Sequence, residues 1–217
     1  MTTATNFKIS SYDTNDTWTK LNLADNNSAD WDKAVKIFKD RFETRFFKPL
    51  NALIKHQDEK IKFYSGFTVL AIDCLLIETF NQFYHGIDES EDKFKRNCKT
   101  FKDIFKRSDF FKNDFDTDEK ISIFYKHIRC GLLHQGETKE DSKINLKKSD
   151  LITIIENNGV KSIELNRREF HKRVTAYFED YSEKLKDIKQ TDLRKNFKLK
   201  MDLITRRTKP KAKHLKC

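Results

Sequence analysis

The chain has 217 residues, a formal net charge of +10, and 36% charged residues. Hydrophobic residues still make up 37% and include 19 Phe, which excludes a chain that is disordered throughout. With only 5 Gly and 2 Pro, a turn-rich sheet fold is disfavoured, and long helices are expected.

The first 28 residues are polar and predict an irregular lead-in to a helical domain over residues 29–189. They lack the apolar segment of a secretory signal, and no two of the 4 Cys have CxxC spacing. We therefore expect a cytoplasmic protein with reduced thiols and without a metal site. The apolar run 63–83 contains Asp73 and Glu78, which favours a buried core helix over a membrane span.

Helical spacing of the apolar residues predicts a mainly α bundle of about five helices with one inserted β-hairpin. The predicted helices cover residues 31–54 with an interruption at Pro49, 63–85, 88–105, 117–134 and 167–188. Aliphatic residues on both sides of Asn157, Asn158 and Gly159 predict the hairpin, at about 143–165.

Residues 190–217 carry much of the positive charge and predict a basic C-terminal tail, which has room for a short amphipathic piece around Leu193 to Ile204. Such a segment either binds phosphate backbones, with release of counterions, or is simply solvated. The candidate nucleic-acid-binding residues are Arg194, Lys195, Lys198, Lys200, Arg206 and Arg207.

The segment from Arg129 to His134 combines residue types that suit RNA cleavage. Histidine titrates near neutrality and can remove or supply a proton, whereas the planar, charged guanidinium of arginine suits a phosphate. On a helix, the five-residue spacing leaves the two side chains about 140° apart around the axis. His134 could instead be a core histidine, and Arg129 could be a structural ion-pair partner of Glu78 or Asp73.

This spacing resembles the R-x(4–6)-H motif of HEPN domains. The acid-bearing apolar run 66–79 also resembles the helix that HEPN-like proteins pack beside their motif helix, so the resemblance covers roughly residues 30–190. It implies a HEPN-like helical bundle and an endoribonuclease that needs no metal or cofactor. It further implies a homodimer acting on RNA as a toxin or anti-phage effector, with an antitoxin or another defence-system protein as a possible partner.

Under this resemblance, Arg129 and His134 are the catalytic residues. The supporting residues are Glu78, Asp73, Tyr125, His127 and Cys130. Cys130 stands directly after the motif arginine, where family members usually have a polar residue. A catalytically silent module that binds RNA or a protein therefore stays open, as does a helical interaction protein that never meets nucleic acid.

Overall fold

The computed structural model describes residues 6–94, 97–146 and 150–205. Helices account for 62% and strands for 9% of this part, which confirms the mainly helical class. It contains nine continuous helices, so the expectation of about five is wrong. No helix in these ranges has both the length and the apolar character needed to cross a membrane.

Two of the nine helices are composite, because a π-helical segment joins two α-helices in each. The α-helices are α1 Asn15–Thr19, α2 Asp30–Phe42, α3 Lys48–Ile54, α4 Glu59–Tyr64, α5 Gly66–His85, α6 Ser90–Phe94, α7 Asn97–Arg107, α8 Asp118–Ile123, α9 Cys130–Gln135, α10 Arg167–Lys184 and α11 Thr191–Ile204. The π-helical segments are Glu43–Phe47, between α2 and α3, and Phe124–Arg129, between α8 and α9. The strands are β1 Lys143–Asn145, β2 Ile152–Asn157 and β3 Val160–Asn166.

Local signals account for some of the additional helices. Asp58 starts α4 as an N-cap, since its side chain accepts hydrogen bonds from the backbone N–H groups of Lys60 and Ile61. Pro49 does not end the first predicted helix, because it lies in the first turn of α3, where a missing N–H is tolerated. The departure from regular α-helical geometry lies instead in the π-helical segment Glu43–Phe47, directly before α3.

The centre of the fold is α5, against which α10 and α11 pack. Phe83 of this helix lies 5.0 Å from Phe38 and 6.0 Å from Phe197, measured between ring centroids, and all three rings are fully buried. Burial of each such side chain contributes about 1.5–3 kcal/mol, and aromatic pairs add about 0.5–1.5 kcal/mol. These phenylalanines therefore belong to the core.

The predicted hairpin is confirmed, and the structure adds a third strand. Strands β2 and β3 pair antiparallel with Ile154 opposite Ile163, and Asn158 and Gly159 turn the chain with φ of +52° and +77°. Strand β1 pairs parallel to β3, which gives the order β1-β3-β2. Because β1 has only three residues, the alternation of apolar and polar side chains that marks a strand cannot be recognised in its sequence.

Both predicted terminal segments contribute to the core. The lead-in contains α1, where the buried Trp18 donates a hydrogen bond of 2.8 Å to Asp202 of α11. Phe197 and Met201 of α11 are fully buried. The prediction of a tail outside the domain is therefore wrong for residues 191–204, because an apolar face fixes this segment on α5.

Candidate active site

The Arg129 to His134 segment lies on the composite helix formed by α8, the second π-helical segment and α9, as predicted. Thr117 begins this helix, since its side chain accepts a hydrogen bond from the backbone of Lys120. Gly136 ends it in the left-handed conformation at φ +66°. Arg129 is the last π-helical residue, and single-turn π segments are frequent at functional sites.

Arg129 is held by Glu78 of α5. Its Nη2 donates to Glu78 Oε2 at 3.2 Å, and only 12% of the Arg129 side chain and 18% of the Glu78 side chain are exposed. Burial lowers the pKa of Arg129, but Glu78, together with Tyr125 and Cys130, outweighs burial, so the pKa lies above its usual value. Of the two acidic partners considered for Arg129, the structure thus selects Glu78.

Asp73 is fully buried and pairs with a residue that the sequence did not suggest. Its Oδ1 lies 2.9 Å from Nδ1 of His171, on α10. Burial raises the pKa of Asp73, and the His171 ring opposes that shift. No local signal could have found this partner, because 98 positions separate the two residues. Asp73 therefore joins α5 to α10 instead of contacting Arg129.

His134 lies at the surface. Its residue is exposed on α9, and its ring makes no hydrogen bond to any residue that the structure describes. Glu137, three residues later, accepts a hydrogen bond of 2.9 Å from the backbone of Thr138 and does not orient the ring. The interpretation of His134 as a core histidine is therefore wrong, and the ring is available to a substrate.

His127 is half-buried and belongs to a hydrogen-bond network behind the motif. Its Nδ1 lies 3.1 Å from the Ser142 hydroxyl, which also accepts from the backbone N–H of Ile163 at 3.1 Å. Ser142 thereby connects the motif helix to β3. Burial lowers the pKa of His127, Glu140 opposes that shift, and neighbouring lysines add to it. A positioning role fits this placement better than contact with substrate.

The loop after Gly136 returns across the motif helix at Gly131. A Cβ atom on Gly131 would lie 2.4 Å from the carbonyl oxygen of Glu137, so only glycine permits this approach. The Lys139 backbone N–H donates to the His127 carbonyl at 3.0 Å. The loop also holds Glu140 at φ +51°, an uncommon conformation for a residue other than glycine. The loop after Gly136 is therefore packed and hydrogen-bonded against the motif helix.

Tyr125 and Cys130 flank Arg129, and both are half-buried. The Arg129 guanidinium lies 5.5 Å from the centre of the Tyr125 ring, and that ring lies 5.6 Å from Phe101. Burial raises the pKa of Tyr125 to about 12, with Arg129 opposing, so its hydroxyl stays protonated near neutral pH. Tyr125, expected from the resemblance to be a supporting residue, thus packs against the arginine.

The candidate nucleic-acid-binding residues that the structure describes differ in burial and in their contacts. Arg194 is buried and donates to the carbonyls of Leu185, Asn26 and Lys186 at 2.7–2.9 Å. Lys200 is also buried and donates to the carbonyl of Asp88 at 2.5 Å.

The prediction that Arg194 and Lys200 bind nucleic acid is wrong, because both cations hold α11 on the domain. Lys198 forms an ion pair of 2.7 Å with Asp202, whereas Lys195 is exposed. Arg206 and Arg207 lie outside the described residues.

The described part of the chain contains no group of three or more His, Cys, Asp or Glu side chains that could hold a metal ion. A scan against protein-family models found no match to the chain. Searches of the curated proteins and of the solved structures found none either. The structure thus shows a helical domain in which an arginine held by an ion pair and an exposed histidine lie about 1.4 turns apart on one helix.

Proposed function

We propose that the protein is a metal-independent endoribonuclease of the HEPN type. The observation that carries this proposal is the contrast within one helix between Arg129, held by Glu78, and His134, exposed and free to meet substrate. RNA supplies its own nucleophile, the 2′-hydroxyl, so the protein needs a proton acceptor and donor and a cation for the phosphate.

His134 takes the acid–base role in this proposal. It removes the proton of the 2′-hydroxyl, whose oxygen attacks the adjacent phosphorus; the bond from phosphorus to the 5′-oxygen breaks, and a protonated imidazole gives its proton to that oxygen. The products are a 2′,3′-cyclic phosphate and a 5′-hydroxyl. Arg129 stabilises the charge on the phosphate oxygens. Glu78 occupies one Nη atom of Arg129 and fixes the plane of the guanidinium.

The proposed enzyme is a homodimer. Leu133, directly before His134, is 45% exposed, and Leu75, one helical turn before Glu78, is 42% exposed. One exposed leucine on the motif helix and one on α5 suit an interface with a second copy. The 140° offset between Arg129 and His134 also suits a site in which each copy supplies one of the two residues.

Cleavage of a labelled single-stranded RNA in EDTA tests the activity. We expect wild type to leave 2′,3′-cyclic ends, and His134→Ala to be slower by about 10²–10⁴-fold. His56→Ala is the matched control, because His56 is also exposed and its ring accepts a hydrogen bond of 3.0 Å from the backbone of Asp58, two residues later. A His134→Ala protein that cleaves at the wild-type rate would refute the assignment.

Mixing two inactive variants tests the shared site. If each active site takes Arg129 from one copy and His134 from the other, mixed Arg129→Ala and His134→Ala proteins regain about a quarter of wild-type activity after subunit exchange. If each copy holds a complete site, no mixture regains activity. Sedimentation of each protein alone confirms that the variants are still dimers.

The second candidate is a catalytically silent module of the same fold. Cys130 favours it, because a thiol beside Arg129 is a poorer hydrogen-bond former than a polar amide. This module would bind RNA without cleaving it, with an affinity that falls steeply with salt. Binding in EDTA by wild type, without cleavage, would support it.

The proposed biological role, as a toxin or anti-phage effector in the cytoplasm restrained by an antitoxin or another defence-system protein, rests on the resemblance to HEPN domains. Expression of wild type and of His134→Ala in a bacterial host tests this role. Growth arrest with wild type alone is expected.

A further inference from the structure

We propose that a groove at the end of the motif helix binds unpaired nucleotides of the RNA, whose bases stack on Phe63 and Tyr64. The groove has a volume of about 800 Å³, within the range of ligand pockets. Among its lining residues are Phe63, Tyr64, Phe67, Ile144, Leu146 and Arg167. Glu137, three residues after His134, also lines the groove, which therefore begins where the motif helix ends. This subsite rests on the proposed function and adds to it the path that the strand takes away from His134.

The exposed side chains of α4 form an apolar patch at this groove. Phe63 is 64% and Tyr64 is 76% exposed, and Ile61 of the same short helix is 41% exposed. The centroids of the two rings lie 5.3 Å apart at an interplanar angle of 89°, so each ring has a face that the other does not cover. Flat nucleobases stack on such free faces, and because every base has a face, this kind of binding tolerates any sequence.

A buried arginine fixes the backbone beneath these rings. Arg167 is only 5% exposed, and it donates from Nη1 to the Phe63 carbonyl at 3.0 Å and from Nη2 to the Lys62 carbonyl. A Cβ atom on Gly66 would lie 2.5 Å from the same Nη1, so glycine at the start of α5 leaves room for the guanidinium. The end of α4 is thereby held in place while its aromatic side chains point outwards, and a fixed platform loses little entropy when a base stacks on it.

The charges around the groove favour a partner that carries phosphates. A smaller cavity that adjoins the groove is also lined by Lys62, which pairs with Glu59 at 2.9 Å, and by Arg168. Arg168 and Lys60 are exposed, and neither forms an ion pair with any residue that the structure describes. Glu137 is the one carboxylate among the described lining residues of the two cavities.

Aromatic faces beside unpaired cations match the alternation of bases and phosphates along a single strand. An apolar peptide would use the rings and leave the cations without partners. A duplex would use the cations alone, because its bases are stacked on one another and are not available to a protein ring. The combination of the two features therefore selects a single-stranded nucleic acid.

A strand that cannot be cleaved tests this subsite apart from the chemistry. We would measure the binding of a labelled 2′-O-methyl RNA of about eight nucleotides to the full chain in EDTA by fluorescence anisotropy, beside an abasic strand of the same length. The double variant Phe63→Ala with Tyr64→Ala should bind the base-bearing strand about 5- to 100-fold more weakly and the abasic strand within about 2-fold of wild type. Phe63→Tyr with Tyr64→Phe keeps both rings and should bind both strands as wild type does.

Two further variants complete the test. Tyr12→Ala is the matched control and should change neither affinity, because Tyr12 is 89% exposed and lies outside the groove. Arg168→Gln should weaken both strands and lower the slope of affinity against salt by about 1, as expected for one lost phosphate contact. Because the substituted aromatic side chains are exposed, the double variant should unfold in urea at the wild-type midpoint.

Several outcomes would overturn the proposal. They are no binding of the base-bearing strand to wild type, an unchanged affinity in the double variant, and an equal loss for the base-bearing and abasic strands. Dissociation of a dimer in the double variant would assign the patch to a second copy, and loss of binding to anionic phospholipid vesicles would assign it to a membrane surface. A wild type that cleaves RNA but shows no base-dependent binding would overturn the subsite alone, whereas base-dependent binding without cleavage would overturn only the proposed catalysis.

Discussion

Removing the charge of Glu78 would test whether one ion pair both stabilises the fold and prepares the proposed site. In Glu78→Gln, the Arg129 side chain, which is 12% exposed in wild type, would face a neutral partner, and its buried Nε already lacks a hydrogen bond among the described residues. Breaking a fully buried ion pair costs about 3–5 kcal/mol, and an exposed one about 0–1 kcal/mol. Because this pair keeps some access to water, we expect a loss of about 2 kcal/mol.

Urea unfolding measures this loss as a lower transition midpoint with an unchanged slope. Glu183→Gln is the matched control, because the Lys186–Glu183 pair has side chains that are 47% and 58% exposed. Its unfolding free energy should change by less than about 0.5 kcal/mol. RNA cleavage by Glu78→Gln should also fall, since Arg129 loses the contact that fixes its plane.

The double variant Glu78→Leu with Arg129→Met separates stability from chemistry. Apolar side chains of similar size can replace a buried ion pair at little cost, so this variant should unfold near the wild-type midpoint and yet cleave no RNA. If Glu78→Gln and Glu183→Gln unfolded at the same urea concentration, the inference that Glu78 holds Arg129 in a low-dielectric setting would be wrong.

Three further changes test other contacts. Gly131→Ala should lower the unfolding free energy by about 1–3 kcal/mol in urea, because its Cβ would meet the Glu137 carbonyl. Arg194→Ala should lower the thermal midpoint and Lys195→Ala should not, since only Arg194 holds three carbonyls. Burial lowers the pKa of His127, so the unfolded state binds more protons just below the usual value near 6.5. Wild type should therefore lose more stability than His127→Gln between pH 7 and pH 5, measured by urea unfolding at each pH.

Features with a local cause were predictable from the sequence. Thr117 and Gly136 mark the ends of the motif helix because a cap and a left-handed stop each depend on a few neighbouring residues. The turn at Asn158 and Gly159 has the same origin. These signals were sufficient to place Arg129 and His134 on one helix.

Features that depend on distant contacts were not predictable. His171 becomes the partner of Asp73 only when α10 packs on α5, and neither helix carries a mark of that pairing. The charge count of residues 190–217 predicted a tail, although Phe197 and Met201 recur at helical spacing. That spacing was the available signal, and it indicates that Arg194 and Lys200 serve the fold instead of a phosphate backbone.

The ion pair of Arg129 with Glu78 is compatible with the phosphate-binding role proposed for Arg129. A guanidinium has five N–H donors, and Glu78 engages Nη2 alone, which leaves Nη1 for a phosphate oxygen. An arginine that is already fixed loses less side-chain entropy when substrate binds, so the ion pair supports phosphate recognition. In the proposed reaction His134 has to move a proton, and its exposure on α9 gives substrate access to the ring. The proposed site thus combines a cation held by Glu78 with a histidine at the helix surface, as cleavage through the 2′-hydroxyl would need.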